Sequence, residues 1–302
     1  MVLQPKELDG VLLVDKPRDH TSHDVIARLR GKLKMKRVGH AGTLDPDATG
    51  VLLVGVGRCT RLLRFLTDLG KTYSGQVVFG STTDSLDSTG VVTGTYEMAG
   101  LTPEQVRAAA VSLTGAIEQI PPMVSAVKVD GRRLHELARE GVEIERAPRP
   151  VTVYRFDVEP TSNPMVFNIE VHCSKGTYIR TLADDLGRLC GGGAHLHGLR
   201  RMAGGAFTVA EAASVDAVQL LDLPTAVRDY LHVAIPDDVA AMVRNGRVLD
   251  RTRCAGFDGD GPWAVMSSGG DLLAMYEAHR GNEVKPAVVI PYDGEAPSEH
   301  LR

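Results

Sequence analysis

Between residues 39 and 50 the chain reads GHAGTLDPDATG, with one imidazole, two carboxylates and three glycines, and an apolar run, VLLVGVG, follows at once. A short continuous apolar run predicts a buried strand. The polar stretch therefore ends beside a sheet core and not at a distant loop tip. Pro46 pushes Asp45 into extended backbone, and the glycines at 39, 42 and 50 permit close approach by a ligand. A turn in which Asp45 and Asp47 bond their own backbone accounts for the same residues. Other loop chemistries fit these residues poorly. A calcium loop starting at Asp45 needs a bidentate Glu at its twelfth position, which is Val56. The partial dinucleotide fingerprint Gly55-x-Gly57-x-x-Thr60 lacks its third glycine, and no G-x-x-x-x-G-K-[ST] phosphate loop occurs.

The flanking segments predict strands in pairs with helices between them, which favours a mixed α+β sheet over a strict βαβ array. GVLLVDKP (10–17) predicts a buried strand ended by Pro17, and Ser22 an N-cap for a helix over 23–33 with Val25, Ile26, Leu29 and Leu33 on one side. RCTRLLRFLTDLG predicts a helix closed by Gly70. KTYSGQVVFG and GVVTGTY predict antiparallel strands, and Pro103 marks the first turn of a helix. VTVYRFDVEP and PMVFNIEVHCS form two long strands joined by a Ser-Asn-Pro turn; a helix with Ile179, Leu182, Leu186 and Leu189 on its apolar side comes next. A boundary falls near 225–235. Beyond it WAVMS, LLAMYE and PAVVIP predict a small β-rich domain, ending in a frayed tail.

Apolar residues make up 43% and charged residues 24%, so wholesale disorder is excluded. The four cysteines, Cys59, Cys173, Cys190 and Cys254, form no C-x-x-C pair, which argues against a disulfide framework or zinc site and for a reducing cytoplasm. No secretion signal is visible, and no apolar run approaches the ~20 residues of a membrane helix. The net charge of −4 does not exclude nucleic acid, because RLRGKLKMKR (28–37) carries six basic side chains and no acid. Arg132, Arg133, Arg139, Arg146 and Arg149 form a second basic stretch, diluted by Glu136, Glu140, Glu143 and Glu145. On charge alone both stretches read equally well as solvated faces.

GHAGTLDPDATGVLLVGVGRCTRL resembles the catalytic motif of the bacterial tRNA pseudouridine synthase B (TruB) family. GVLLVDKP with TSHDVIARLR resembles the family's N-terminal Lys-Pro motif, and KTYSGQVVFGSTTDSLDSTG its tyrosine-bearing strand and acidic loop. PPMVSAVKVDGRRLHELAREGVEIERAPRPVTVY is similar to its RNA-gripping insertion. SKGTYIRTLADDLG and GGGAHLHGLRRMAGGAF resemble its arginine and leucine motifs, and all of these stand in family order over roughly residues 10–210.

The resemblance implies a mixed, mainly antiparallel catalytic domain (1–230) with an insertion at about 124–152. A small β-rich PUA-like RNA-binding domain (231–295) and a tail (296–302) complete the chain. It implies conversion of uridine 55 in the tRNA T-loop to pseudouridine, by base flipping, C1′–N1 cleavage and C1′–C5 rejoining, with no metal or organic cofactor. The partner is the T-arm at the tRNA elbow, gripped by the basic stretches; the protein is a cytoplasmic monomer with no membrane partner, and tRNA-folding chaperone action is a further expectation. By the same resemblance Asp45 is the essential aspartate, attacking either sugar or base, and Tyr73 stacks on the base and accepts the C5 proton. Tyr178 and Leu199 close the pocket, His40 enters the T-loop where the base was stacked, and Asp87 is an acid near the site. Lys16 with Pro17 supports the catalytic loop, and Asp47 belongs to a turn. Complete burial raises a carboxyl's pKa by about 3–5, and an adjacent cation lowers it by about 1–3. The resemblance supplies that cation as Arg180, whereas spacing alone pairs Arg180 with Asp184 on the helix surface.

Overall fold

The computed structural model describes residues 8–125, 128–129, 131–142 and 144–291. Strand β1 (Gly10–Lys16) is buried along nearly its whole length, as its VLLV run requires. Helix α1 (Ser22–Leu33) starts one residue before the sequence reading, because Thr21 and not Ser22 caps it. The Thr21 hydroxyl accepts from the Asp24 N–H at 3.0 Å, and the Asp24 carboxylate accepts from the Thr21 N–H at 2.7 Å. This reciprocal pair satisfies two orphan donors and leaves Ser22 inside the helix, its hydroxyl not needed for the cap.

Strand β2 (Val38–Ala41) takes up the first residues of the glycine-rich stretch, which is therefore a loop only over 42–48, and β3 (Thr49–Val56) takes up its end. The segment after β3 is a 3₁₀ turn, Gly57–Leu62, before it becomes helix α2 (Leu63–Asp68). Strand β4 (Lys71–Phe79), helix α3 (Pro103–Ser112, capped by Thr102), strands β5 (Gly115–Gln119), β6 (Arg149–Pro160) and β7 (Val166–Cys173), helix α4 (Ile179–Leu189) and strand β8 (Ala194–Gly204) follow. They form a sheet in the order β1-β3-β8-β4-β7-β6-β5, with β2 beside the far half of β3. Every neighbouring pair on that path is antiparallel except β3–β8, which run parallel where Thr49 and Gly50 face Arg200 and Arg201. That contact explains Gly50: its φ is +102°, and a Cβ there would lie 2.2 Å from the Arg201 carbonyl oxygen.

Helix α4 packs Ile179, Leu182 and Leu186 into the main core; Leu189 is 54% exposed, contrary to its expected place on the apolar side. It is the last residue of the helix and does not join that core. Residues of the insertion form a short strand pair, Lys128–Val129 with Arg132–Arg133, and a helix over Leu134–Arg139. The side chains of Arg133 and Arg139, Glu143, and the tail 296–302 lie outside the described residues.

A second sheet holds β9 (Leu231–Ala234), β10 (Trp263–Met266), β11 (Leu272–Ala278) and β12 (Glu283–Val289), with helix α5 (Asp237–Arg244) against it. One face buries Trp263, Val265 and Tyr276. The other sends Ala264, Met266, Leu272 and Met275 into one apolar cluster with Leu62, Phe65 and Leu66 of the first unit. Burial on both faces is why WAVM is apolar without alternation.

Candidate active site

The loop 42–48 owes its shape to three separate clasps. Ser22 accepts from the Leu44 N–H at 2.9 Å and donates to the Leu44 carbonyl at 3.2 Å. Lys16, fully buried, donates from Nζ to the carbonyls of Pro46 (3.0 Å), Pro17 (2.9 Å) and His20 (2.6 Å). From β8, Arg201 donates to the carbonyls of Gly42 (3.2 Å) and Thr43 (2.9 Å). The Asp47 carboxylate, expected to belong to a turn, pairs with Arg18 at 3.3 Å.

These clasps present Asp45 to Arg180. The Arg180 Nη2 lies 3.0 Å from Asp45 Oδ2, while Nη1 donates to the Ser85 carbonyl and Nη2 to the Val124 carbonyl, both at 2.8 Å. Asp87 lies behind, with Oδ2 3.7 Å from Arg180 Nε, and it also caps its own turn by accepting from Ser85, the Thr89 N–H and the Thr89 hydroxyl. The surface pair with Asp184 is not formed: Asp184 is itself buried and pairs with Arg188, one turn further on. Arg180 is buried, but the Asp45 side chain is 42% exposed. The protein alone therefore does not bury Asp45.

Asp45, Tyr73, Tyr178, Arg180, Leu199 and Arg201 line one cavity of about 280 Å³. Tyr73 stands on β4 opposite Arg201 in the sheet register. Burial raises the Tyr73 pKa, and the nearby Arg201 opposes that rise. Tyr178 is held at the start of α4 by Gln119, which accepts from its N–H at 3.0 Å and donates to its carbonyl at 3.3 Å. His40 is not among the lining residues. It lies on β2, edge-on to His23 at 5.5 Å, with a buried Nδ1 that has no hydrogen-bond partner among the described residues. Burial lowers its pKa to about 4, with His23 and Arg201 adding to the effect, so the ring is neutral at pH 7.

Sequence reasoning missed Arg201, Gln119, the Ser22 clasp and Lys71, a buried lysine of the same cavity bonded to the Thr67 and Leu69 carbonyls. One signal was present. In a strand, successive residues face opposite ways, so of the pair Arg200–Arg201 one must turn inward. Arg200 goes out, bidentate to Asp15 at 2.8 and 3.0 Å, and Arg201 goes in.

Burial of Lys16 lowers its pKa to about 8, against the pull of Asp45, Asp47, Asp19 and Asp24. The unfolded chain keeps that proton up to about pH 10.5. Between these values the unfolded state binds more protons, so this lysine's contribution to stability is present at high pH and is lost as pH falls through about 8. In urea titrations the stability gap between the wild type and Lys16→Met is expected to widen by about 1–2 kcal/mol from about pH 7.5 to about pH 9.5. A gap that stays constant contradicts it.

Among the described residues no helix is long and apolar enough to cross a membrane. Residues 30–179 match the model for the TruB family pseudouridylate synthase N-terminal domain, and residues 180–235 that for the tRNA pseudouridylate synthase B C-terminal domain. A protein of Opitutus terrae named tRNA pseudouridine synthase B is 50% identical over 224 residues, which cover 74% of this chain and 92% of that protein. One of the same name from Arthrobacter sp. is 38% identical over 306 residues, covering 97% and 100%. Among solved structures, a chain of a Cbf5-Nop10-Gar1 complex superposes with a TM-score of 0.72 at 26% identity, over 93% of this chain and 85% of that one.

Proposed function

The chain belongs to the TruB family of pseudouridine synthases, RNA uridine isomerases, and from that premise we propose that its substrate is the T-loop uridine at position 55 of tRNA and that Asp45 is its nucleophile. The observation that carries this reading is the Asp45–Arg180 contact, 3.0 Å long, at a cavity walled by two tyrosines. A uridine inside a folded loop cannot reach that carboxylate, so the base must leave its stack, at a cost of a few kcal/mol. His40, neutral and planar, offsets part of that cost by filling the gap in the RNA. The flipped base then covers Asp45, removing the water that still reaches it in the free protein.

Attack by the carboxylate on C1′ or on the base accompanies breaking of the C1′–N1 bond. The base turns while Leu199 and Tyr178 confine it, and C5 bonds to C1′ as the bond to Asp45 breaks and frees the carboxylate. The C5 proton passes to the oxygen of Tyr73, whose ring stacks on the base and whose own proton goes to solvent, and N1 takes up one proton in exchange. Product and substrate have the same atoms, so no co-reactant is consumed. Arg180 keeps a positive charge beside the carboxylate throughout, and Asp87 holds Arg180 from behind.

The T-arm phosphates meet the first basic stretch at Lys34, Lys36 and Arg37, which are exposed. Three others are committed within the protein: Arg28 to Asp216, Arg30 to the Val38 carbonyl and Lys32 to the carbonyls of Val215 and Asp216. In this reading the chain divides near residue 230, and the C-terminal sheet is a small PUA-like RNA-binding unit.

The test uses a tRNA transcript carrying tritium at uridine C5. Tritium release is expected at one site, with pseudouridine mapping to position 55 and release lost when that uridine is replaced by cytidine. Release that survives the replacement overturns the site assignment.

A further inference from the structure

Arg201 is 3% exposed and makes no ion pair with a carboxylate among the described residues. Its Nε donates to the Tyr73 hydroxyl at 3.3 Å, and its guanidinium carbon lies 5.5 Å from the centre of the Tyr73 ring. Nη1 donates to the carbonyls of Gly42 and Val51, each at 3.2 Å, and Nη2 to that of Thr43 at 2.9 Å. One planar side chain thus spans the strand that bears Tyr73 and the loop that bears Asp45. A buried cation serving only neutral acceptors is a costly brace. Leucine or methionine would fill the same space without the desolvation penalty. The charge has a use if its position relative to Tyr73 matters to the reaction.

We propose that Arg201 is a positioning residue for isomerisation, holding the Tyr73 hydroxyl and the Asp45 loop in a single geometry from inside the sheet. The proposal rests on the reading of Tyr73 and Asp45 given above. The rigid fork of a guanidinium suits it for this, since it aims five N–H groups along fixed directions. Because the Tyr73 oxygen accepts from Arg201, the orientation of the hydroxyl about its ring is fixed by the protein and not by the substrate. The charged and titratable groups around Tyr73 are Arg201 from β8, Cys173 from β7, Asp45 from the loop, and Lys71, Lys175, Tyr178 and Arg180 of the same cavity. Of these cations Arg201 is the one that donates to the Tyr73 hydroxyl among the described residues, so its removal takes away a donor and a charge that oppose the effect of burial.

The experiment is a double-mutant cycle on the full chain, read as single-turnover pseudouridine formation on unmodified tRNA. Arg201→Lys is expected to slow the wild-type background at least about tenfold more than the Tyr73→Phe background, in which only the hold on the Asp45 loop is left to lose, with tRNA Kd unchanged. A general brace slows both backgrounds alike, and an idle residue slows neither. Either result overturns the proposal. If Tyr73→Phe turns over too slowly for the cycle, the ¹³Cζ resonance of labelled Tyr73 decides. Its titration midpoint is expected to move to higher pH in Arg201→Gln, and an unmoved midpoint overturns the proposal. A wild-type chain that forms no pseudouridine would instead refute the functional reading itself.

Discussion

Asp45→Asn is expected to bring tritium release from C5-labelled tRNA below detection, a loss of at least about 10⁴-fold, while tRNA binding stays within a few-fold of wild type. The amide keeps the size of the carboxylate and an oxygen that can still accept from Arg180, so the loop clasped by Ser22, Lys16 and Arg201 is undisturbed. What disappears is the negative charge, and with it the nucleophile. Stability should hardly change, because the Asp45 side chain is 42% exposed and a pair so open to solvent contributes about 0–1 kcal/mol. The substitution therefore separates chemistry from fold, and also chemistry from chaperoning. A chain that still binds tRNA and opens its T-loop, but forms no pseudouridine, shows how far binding alone assists tRNA folding. Equal release from both chains rejects Asp45 as the nucleophile.

Much of this site was legible in the sequence, but unevenly. The loop from 39 to 50 announced itself through Pro46, its glycines and the VLLV run, because those features constrain backbone locally. Its first residues are nonetheless a strand, since β3 offers His40 and Gly39 a partner edge that no local pattern reveals. The cap of α1 was misplaced by one residue for a related reason. Thr21 and Ser22 are both good caps, and Asp24, three residues after Thr21, decides between them. Leu189 kept the helical period of its helix but is its last residue and stays exposed. Arg201 and Gln119 act across strand and helix pairings, so their partners were not readable from their neighbours in the chain. Exposure of Asp45 could not be read at all, because in the proposed reaction the wall that covers it is the RNA.

Arg180 and Arg201 both line the reactive cavity, and they differ in a way that shapes the second large effect. Arg201 contacts neutral oxygens, whereas Arg180 stands between two carboxylates, Asp45 in front and Asp87 behind. It also donates to a carbonyl at the root of the insertion, Val124, and to one in the acidic loop, Ser85. The root of the insertion and the nucleophile thus share one side chain.

Arg180→Met is expected to lower single-turnover isomerisation by about 10²–10³-fold, the scale seen when one charged or hydrogen-bonding stabiliser is removed from a transition state. Its stability should also fall, by about 2–4 kcal/mol, unlike that of Asp45→Asn. The loss comes from the buried side of the residue: the Ser85 and Val124 carbonyls lose a charged donor and Asp87 loses its cation. The Asp45 contact adds little to that sum because water reaches it. Arg180→Lys keeps the charge but offers one point in place of a fork. It should recover part of the activity, with Asp45 still paired, and little of the stability, because one ammonium cannot serve four oxygens on three segments. Thermal melts alongside tritium release read both quantities on the same preparation. Near-normal turnover in Arg180→Met would remove the chemical basis for pairing these two residues, whatever the melting temperature shows.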